Sequence, residues 1–221
     1  MTIAGLVPAA HAVTVASEPY PWPYHGSLEP GHTALVVLLG PAWPSSGWWP
    51  GLSGDKVGTP AARMGAIARL LAGAGGAVVM VSTSLPAGAI PAAGPRESGS
   101  PMSCHYVQCA GRSGFYGSSL DAVLRRLGAT DLVLCGWGLE GPVHSTLRSA
   151  NDRGYECLLV PDASVAADQS LVSPACGMVS MSGGIFGAFA PTGAVIEALG
   201  RLAPPPGQPF AQAADQAKER L

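Results

Sequence analysis

The side chains with chemistry to offer gather around one turn. From Cys135 the chain reads Cys-Gly-Trp-Gly-Leu-Glu-Gly-Pro-Val-His-Ser, which sets a carboxylate (Glu140) close to an imidazole (His144). Upstream, Cys109 and Arg112 add a thiol and a guanidinium. A thiol beside an imidazole is a nucleophile arrangement, so Cys109 with His144 is one pairing the chain offers. The other reading of Cys109 is a buried, inert thiol, since cysteine is commonly buried and needs positive charge nearby to react. We adopt that second reading. Glu140 is read as a structural carboxylate at the rim rather than a base.

These residues need a scaffold, and the stretch Asp131–Asp162 supplies its pattern. Leu132–Cys135 and Cys157–Val160 are short apolar runs with almost no alternation. That is the signature of strands buried on both faces of a parallel sheet. Between them lie a Gly-rich turn and a helix over about residues 143–151. In open sheets of this kind ligands sit beyond the carboxyl ends of the strands, where Trp137–His144 must lie.

Composition narrows the partners. The chain has 221 residues, 48% of them hydrophobic and only 12% charged, with a formal net charge of −2. That length and balance fit one globular domain with a substantial core. Without a Lys/Arg cluster, nucleic acid and anionic membranes are excluded as partners. No apolar run approaches the ~20 residues that cross a bilayer, and no basic region precedes Ala10–Ala12, so no signal peptide is read. Five scattered cysteines form neither a disulfide framework nor a C-x-x-C site. A reduced, cytoplasmic protein is expected, with no cofactor.

The central stretch resembles the isochorismatase-like cysteine hydrolases, especially the branch that cleaves ureido compounds such as biuret and ureidoacrylate. Members read G-V-x-T-[NE]-V-C-V-[EH]-[ST]-T-x-R-[DE]-A-x-D-R-G-[YF] here. This chain retains Gly136, Glu140, Val143, His144, Ser145, Thr146, Arg148, Ala150, Asp152, Arg153, Gly154 and Tyr155. At the position of the nucleophilic Cys it has Pro142, a residue that suits the first turn of a helix. The resemblance implies a three-layer α/β/α, Rossmann-like fold with a mostly parallel six-stranded sheet over residues 19–202, flanked by tails at 1–18 and 203–221. Relatives carry a non-proline cis peptide near Trp137–Gly138, a strain that glycine would ease.

Two further landmarks bear on chemistry. Thr33–Leu39 aligns with the strand A-L-V-V-I-D-M-Q, whose Asp is the general base of the family and falls on Leu39. Cys109–Leu120 aligns with K-x-x-[KRY]-[SG]-[AG]-F-x-x-[ST]-x-L through Ser113, Gly114, Phe115 and Leu120. The Lys of that pattern falls on Cys109, and Arg112 occupies the variable basic position. The resemblance therefore implies that base, cation and nucleophile are replaced by Leu39, Cys109 and Pro142.

The remaining segments are framing. Pro19–Gly26 alternates prolines with aromatic or polar residues and reads as an extended packing arm. Pro60 starts a helix capped by Thr59 and stopped by Gly75-Gly76, with Met64, Ile67, Ala68 and Leu71 on its apolar side. Ala77–Val81 is a second strand; Leu120, Val123, Leu124 and Leu127 mark an amphipathic helix. Asp162-Ala163 ends the next strand. Helices follow over about residues 170–181 and 191–202, with a short strand in 183–190 between them. Residues 82–100 contain neither His nor Asp, so no metal site is expected. Loop 42–59, with Trp43, Trp48 and Trp49, is a binding platform, an interface anchor or, equally, plain packing; residues 86–101 read as a long irregular loop, mobile or folded over the active-site mouth.

The expectation is a catalytically degenerate homologue acting as a structural or regulatory subunit, in a homo- or hetero-oligomer, with an active amide- or ureido-cleaving paralogue as the natural partner. Two alternatives stand beside it. One is a working hydrolase of a small ureido, amide or enol-ether substrate, using Cys109 or an activated water. The other is a small-molecule binding module with Trp43, Trp48, Trp49, Trp137 and Phe115 as its walls; the candidates for lining a substrate pocket are Trp43, Phe115, Trp137, Gly138, Glu140 and Gly141.

Overall fold

Thr33–Leu39 is buried at every residue and forms β1, a central strand of the sheet. The computed structural model describes residues 12–40, 59–82 and 104–202. The Trp43, Trp48 and Trp49 loop, the loop at 83–101 and both chain ends therefore lie outside the described residues. The remaining strands are β2 (Ala77–Ser82), β3 (Cys104–Gln108), β4 (Asp131–Trp137), β5 (Glu156–Val165) and β6 (Ala188–Phe189). They form one six-stranded sheet in the order β3-β2-β1-β4-β5-β6, and every neighbouring pair is parallel.

Parallel strands must be joined by crossovers, and helices on both faces supply them. Helices α1 (Pro60–Gly73) and α5 (Thr192–Leu202) pack on one face, with Leu35, Val37, Met80 and Val133. Helices α2 (Leu120–Arg126), α3 (His144–Asn151) and α4 (Val172–Met181) cover the other, with Val36, Val79, Leu132 and Leu134. Because side chains alternate along a strand, β1 feeds both cores with consecutive apolar residues.

Local signals set the helix ends. The Thr59 side chain accepts the Ala62 N–H, and Pro60 occupies the first turn of α1. At its other end the Gly76 N–H donates to Leu71 O and the Gly75 N–H to Ala72 O, with Gly75 at φ 95°. This is a Schellman stop, and it needs a left-handed residue where Gly75 stands.

Two elements differ from the sequence reading. The turn before α3 is wound as a wide π-type turn over Leu139–Val143, so the regular helix starts at His144. Strand β5 runs on past Val160 to Val165, because a bulge absorbs Pro161. Leu134 pairs with Leu159, then Gly136 with Ser164, and the ladder is interrupted where proline has no N–H to give. Asp162, in the bulge, accepts the Thr192 N–H at 2.8 Å and its hydroxyl at 2.9 Å, capping α5. Arg63 of α1 donates to the Asp162 carbonyl at 2.8 Å and clamps the same residue.

The N-terminal arm is folded back on itself. Val15 and Trp22 exchange backbone hydrogen bonds, and Trp22 is fully buried. Glu18 pairs antiparallel with Phe189, covering the outer edge of β6, which would otherwise present unpaired backbone groups.

Candidate functional site

Strand order reverses between β1 and β4, so their carboxyl ends open the crevice where ligands bind in sheets of this type. Leu38 pairs with Gly136 in that register. A β-carbon at Gly136 would stand 2.2 Å from the Leu38 carbonyl oxygen, and its φ is 129°. Only glycine lets β4 press so closely on β1 while turning. Trp137 follows, its indole laid over Gly40, where a β-carbon would be 2.5 Å from the ring. Trp137 keeps 42% of its surface exposed.

Gly138 (φ 76°, ψ 63°) reverses the chain into the π-type turn. Its N–H donates to Val165 O, and its carbonyl accepts from Gly141 and Val143. Pro142 packs against Gly138, with Cδ 2.6 Å from the β-carbon that glycine lacks. The cis peptides among the described residues are Glu18–Pro19 and Trp22–Pro23. The expectation of a cis bond near Trp137–Gly138 is therefore corrected: positive φ at Gly136 and Gly138 makes the reversal instead.

Thr146 fixes this turn to the segment after β3. Its hydroxyl donates to Pro142 O at 2.7 Å and accepts the Gly114 N–H at 2.8 Å. Ser113 adds a hydrogen bond to Ser149 at 2.8 Å. The motif residues Ser113, Gly114 and Thr146 are thus one fastening, which explains why they occur together in the chain.

The geometry of the singled-out residues divides them. Trp137, Gly138, Glu140, Gly141 and Pro142 share the turn. Arg112 joins them: its Nη1 lies 3.6 Å from the β-carbon position of Gly141, and the guanidinium makes no ion pair among the described residues. Glu140 accepts the Ala167 N–H at 3.1 Å, which ties the turn to the chain after β5. Phe115 is turned inward, stacked on Tyr155 at 6.0 Å with Arg153 over its other face at 4.7 Å. Trp43 lies outside the described residues.

Leu39 ends β1 and packs into the core on the α1 and α5 side, whereas Cys109 belongs to the core on the opposite face. The Cys109 thiol, 2% exposed, donates to Ser82 O at 3.4 Å and Gly111 O at 3.5 Å. Burial raises its pKa, the contact with Gly111 opposing only in part. A thiol that donates to carbonyls and is held protonated is a poor nucleophile. His144 is also buried, and its Nε2 has no hydrogen-bond partner. Burial, then Arg148, lowers its pKa, so the ring is neutral. Cys109 and His144 form no hydrogen bond to one another; the thiol is spent on backbone.

Among the described residues no group of three or more His, Cys, Asp or Glu is placed to hold a metal, and no helix is long and apolar enough to cross a membrane. The reading of the sequence missed the Arg63–Asp162–Thr192 clamp. It also missed a group of ionisable residues at the opposite, amino end of the sheet; these come from separate segments and form no contiguous motif.

Comparison with known proteins agrees with this architecture. Residues 91–189 match the isochorismatase domain family. A cysteine hydrolase from Pseudomonas syringae pv. phaseolicola 1448A superposes with a TM-score of 0.60 at 15% identity, over 80% of this chain and 96% of that one. An isochorismatase family protein from Burkholderia thailandensis gives 0.57 at 23% identity, over 78% and 97%. An isochorismatase from Pseudomonas putida KT2440 gives 0.52 at 26% identity, over 76% and 91%. Residues 91–189 are thus similar to an isochorismatase domain, and the fold resembles that of these solved isochorismatase-like structures.

Proposed function

We propose that this chain is a catalytically degenerate isochorismatase-like protein, serving as a structural or regulatory subunit beside an active amide- or ureido-cleaving paralogue. One observation carries the reading. The three positions that the family pattern gives to base, cation and nucleophile hold a buried leucine, a buried protonated thiol and a proline. Leu39 cannot take a proton and Pro142 cannot attack a carbonyl. Cys109 donates its proton to backbone oxygens rather than serving as a thiolate. The fastening of the turn through Thr146 is nonetheless complete, so the scaffold has outlived the chemistry.

An assembly role is supported by the surface near α4. Leu171, Met181 and Ile185 are exposed, the last two at 83% and 73%, as suits residues that a neighbouring subunit covers. The test is native mass spectrometry of the complex isolated from its own host. A stoichiometric second isochorismatase-like chain is the expected result; a homogeneous homo-oligomer would overturn the heteromeric reading.

A second reading, a small-molecule binding module, is favoured by a different observation. The exposed Trp137 indole and the Arg112 guanidinium border the same turn, a flat apolar face with a cation nearby. Quenching of tryptophan fluorescence by a small aromatic carboxylate such as benzoate, lost in Arg112→Gln, would support it. No quenching at millimolar probe concentrations would remove it.

A further inference from the structure

The amino end of the sheet carries an ionisable cluster that the proposed function leaves unused. An open cavity of about 250 Å³ is bordered by His25, Glu29, His32, Asp131 and Glu156, with the backbone of the arm at Pro23–Ser27 as one wall. β4 and β5 start here side by side, and Asp131 is the register partner of Glu156. Neighbouring strands are about 4.8 Å apart, so two carboxylates start at one level of the sheet.

Their situations differ. Glu156 is committed to the arm: its Oε1 accepts the Tyr20 hydroxyl at 3.0 Å and the Tyr24 N–H at 3.2 Å. Asp131 is half-buried on the cavity floor. Facing it are Glu156 from β5, Thr130 on its own strand's approach, and His32 and Glu29 from the turn before β1. His25 reaches the cavity from the arm. The His32 Nδ1 lies 3.0 Å from Glu29, so that imidazole is already engaged. Burial first, then Glu156, pushes the Asp131 carboxyl up to about 6, Glu29 adding and His32 opposing.

We infer that this cavity is a proton-sensitive latch on the N-terminal arm. With Asp131 protonated, Glu156 is the single charge at the register pair and holds Tyr20 and Tyr24. With Asp131 ionised, two adjacent carboxylates repel, and the hold of Glu156 on the Tyr20 hydroxyl and the Tyr24 N–H loosens. Release is local, because Val15, Trp22 and Leu28 stay anchored in the core. The switching interval runs from the ordinary carboxylate range, 3.8, up to about 6.

Hydrogen–deuterium exchange on the full chain at about pH 5 and about pH 8, corrected for intrinsic exchange, tests this. A single ionisation displaced by this much supports a change of about tenfold in local opening. Protection of the Tyr24 amide, which donates to Glu156, should fall by about that factor at the higher pH, while the Val15 and Trp22 amides stay unchanged. Asp131→Asn should flatten the difference. Glu156→Gln, which keeps an acceptor for Tyr20 and Tyr24 but removes the repulsion, should reduce it without abolishing it, because burial of Asp131 remains. Equal protection of the wild-type segment at both pH values overturns the latch, as does a full pH response in both variants.

Discussion

At the carboxyl end of the sheet stand Leu39, Cys109 and Pro142, the residues we propose in place of base, cation and nucleophile; at the amino end His32, Asp131 and Glu156 stand around an open cavity. The first group is apolar or proton-bound, tied into two cores and a tight turn. The second is ionisable and partly solvated. Most of the hydrogen bonds at the carboxyl end are backbone or hydroxyl contacts that no change of pH disturbs. At the amino end the same kind of contact, between arm and strand, rests on a carboxylate. A fold can therefore keep the geometry of a site with neutral fastenings while its proton-dependent behaviour lies elsewhere.

Substitutions can break this contrast, and the largest effect belongs to the arm. Trp22 is fully buried at the amino end, and Trp22→Ala should cost about 3–5 kcal/mol. Urea denaturation measures it, and a cost below about 1 kcal/mol would mean that the arm is dispensable. At the carboxyl end, Thr146→Val keeps the shape but removes both hydroxyl hydrogen bonds. It leaves the Gly114 N–H unpaired, and the expected loss is about 2 kcal/mol, independent of pH.

Asp131→Asn sharpens the contrast through its sign. A carboxyl whose folded pKa is raised favours the protonated form in the fold. Ionisation then costs stability as pH climbs from 3.8 to about 6, with no further change above. Discounted for its partial exposure, the variant should be about 1–2 kcal/mol more stable than wild type at neutral pH. The gain should vanish at about pH 4. Thermal melts across that interval check it, and a pH-independent difference would refute the assignment. The smallest effect is Pro142→Ala. Proline is tolerated early in a helix, so the change should stay within about 0.5 kcal/mol.

How much of this was legible in the chain depended on whether a feature is local. Thr59-Pro60 and Gly75-Gly76 mark the ends of α1 because caps and stops are made by adjacent residues. Thr33–Leu39 reads as a buried strand because burial on both faces leaves no polar residue after Thr33 in the run. The bulge in β5 was not legible: nothing in the run around Pro161 marks it, and the pairing with β4 shows that the proline is skipped. Nor was the wide turn before α3, since Gly138 and Pro142 suit an ordinary helix start equally well. Alignment with the family pattern assigned Leu39, Cys109 and Pro142 to the three proposed positions and Arg112 to the variable basic one; that Arg112 lies beside Gly141 came from the fold. The inward turn of Phe115 depends on Tyr155 and Arg153, forty residues downstream, and spacing carries no trace of it. The amino-end cavity needs four segments to converge, the arm, the turn before β1 and the starts of β4 and β5, which the fold brings together and the sequence order does not.

The most direct test of the central claim is turnover by the isolated chain. Purified protein would be assayed against small ureido, amide and enol-ether compounds, with Cys109→Ala as control. Hydrolysis no faster than the buffer, for both proteins, is the predicted result. Turnover by the wild-type chain that Cys109→Ala abolishes would contradict it and make this a hydrolase with a rebuilt site.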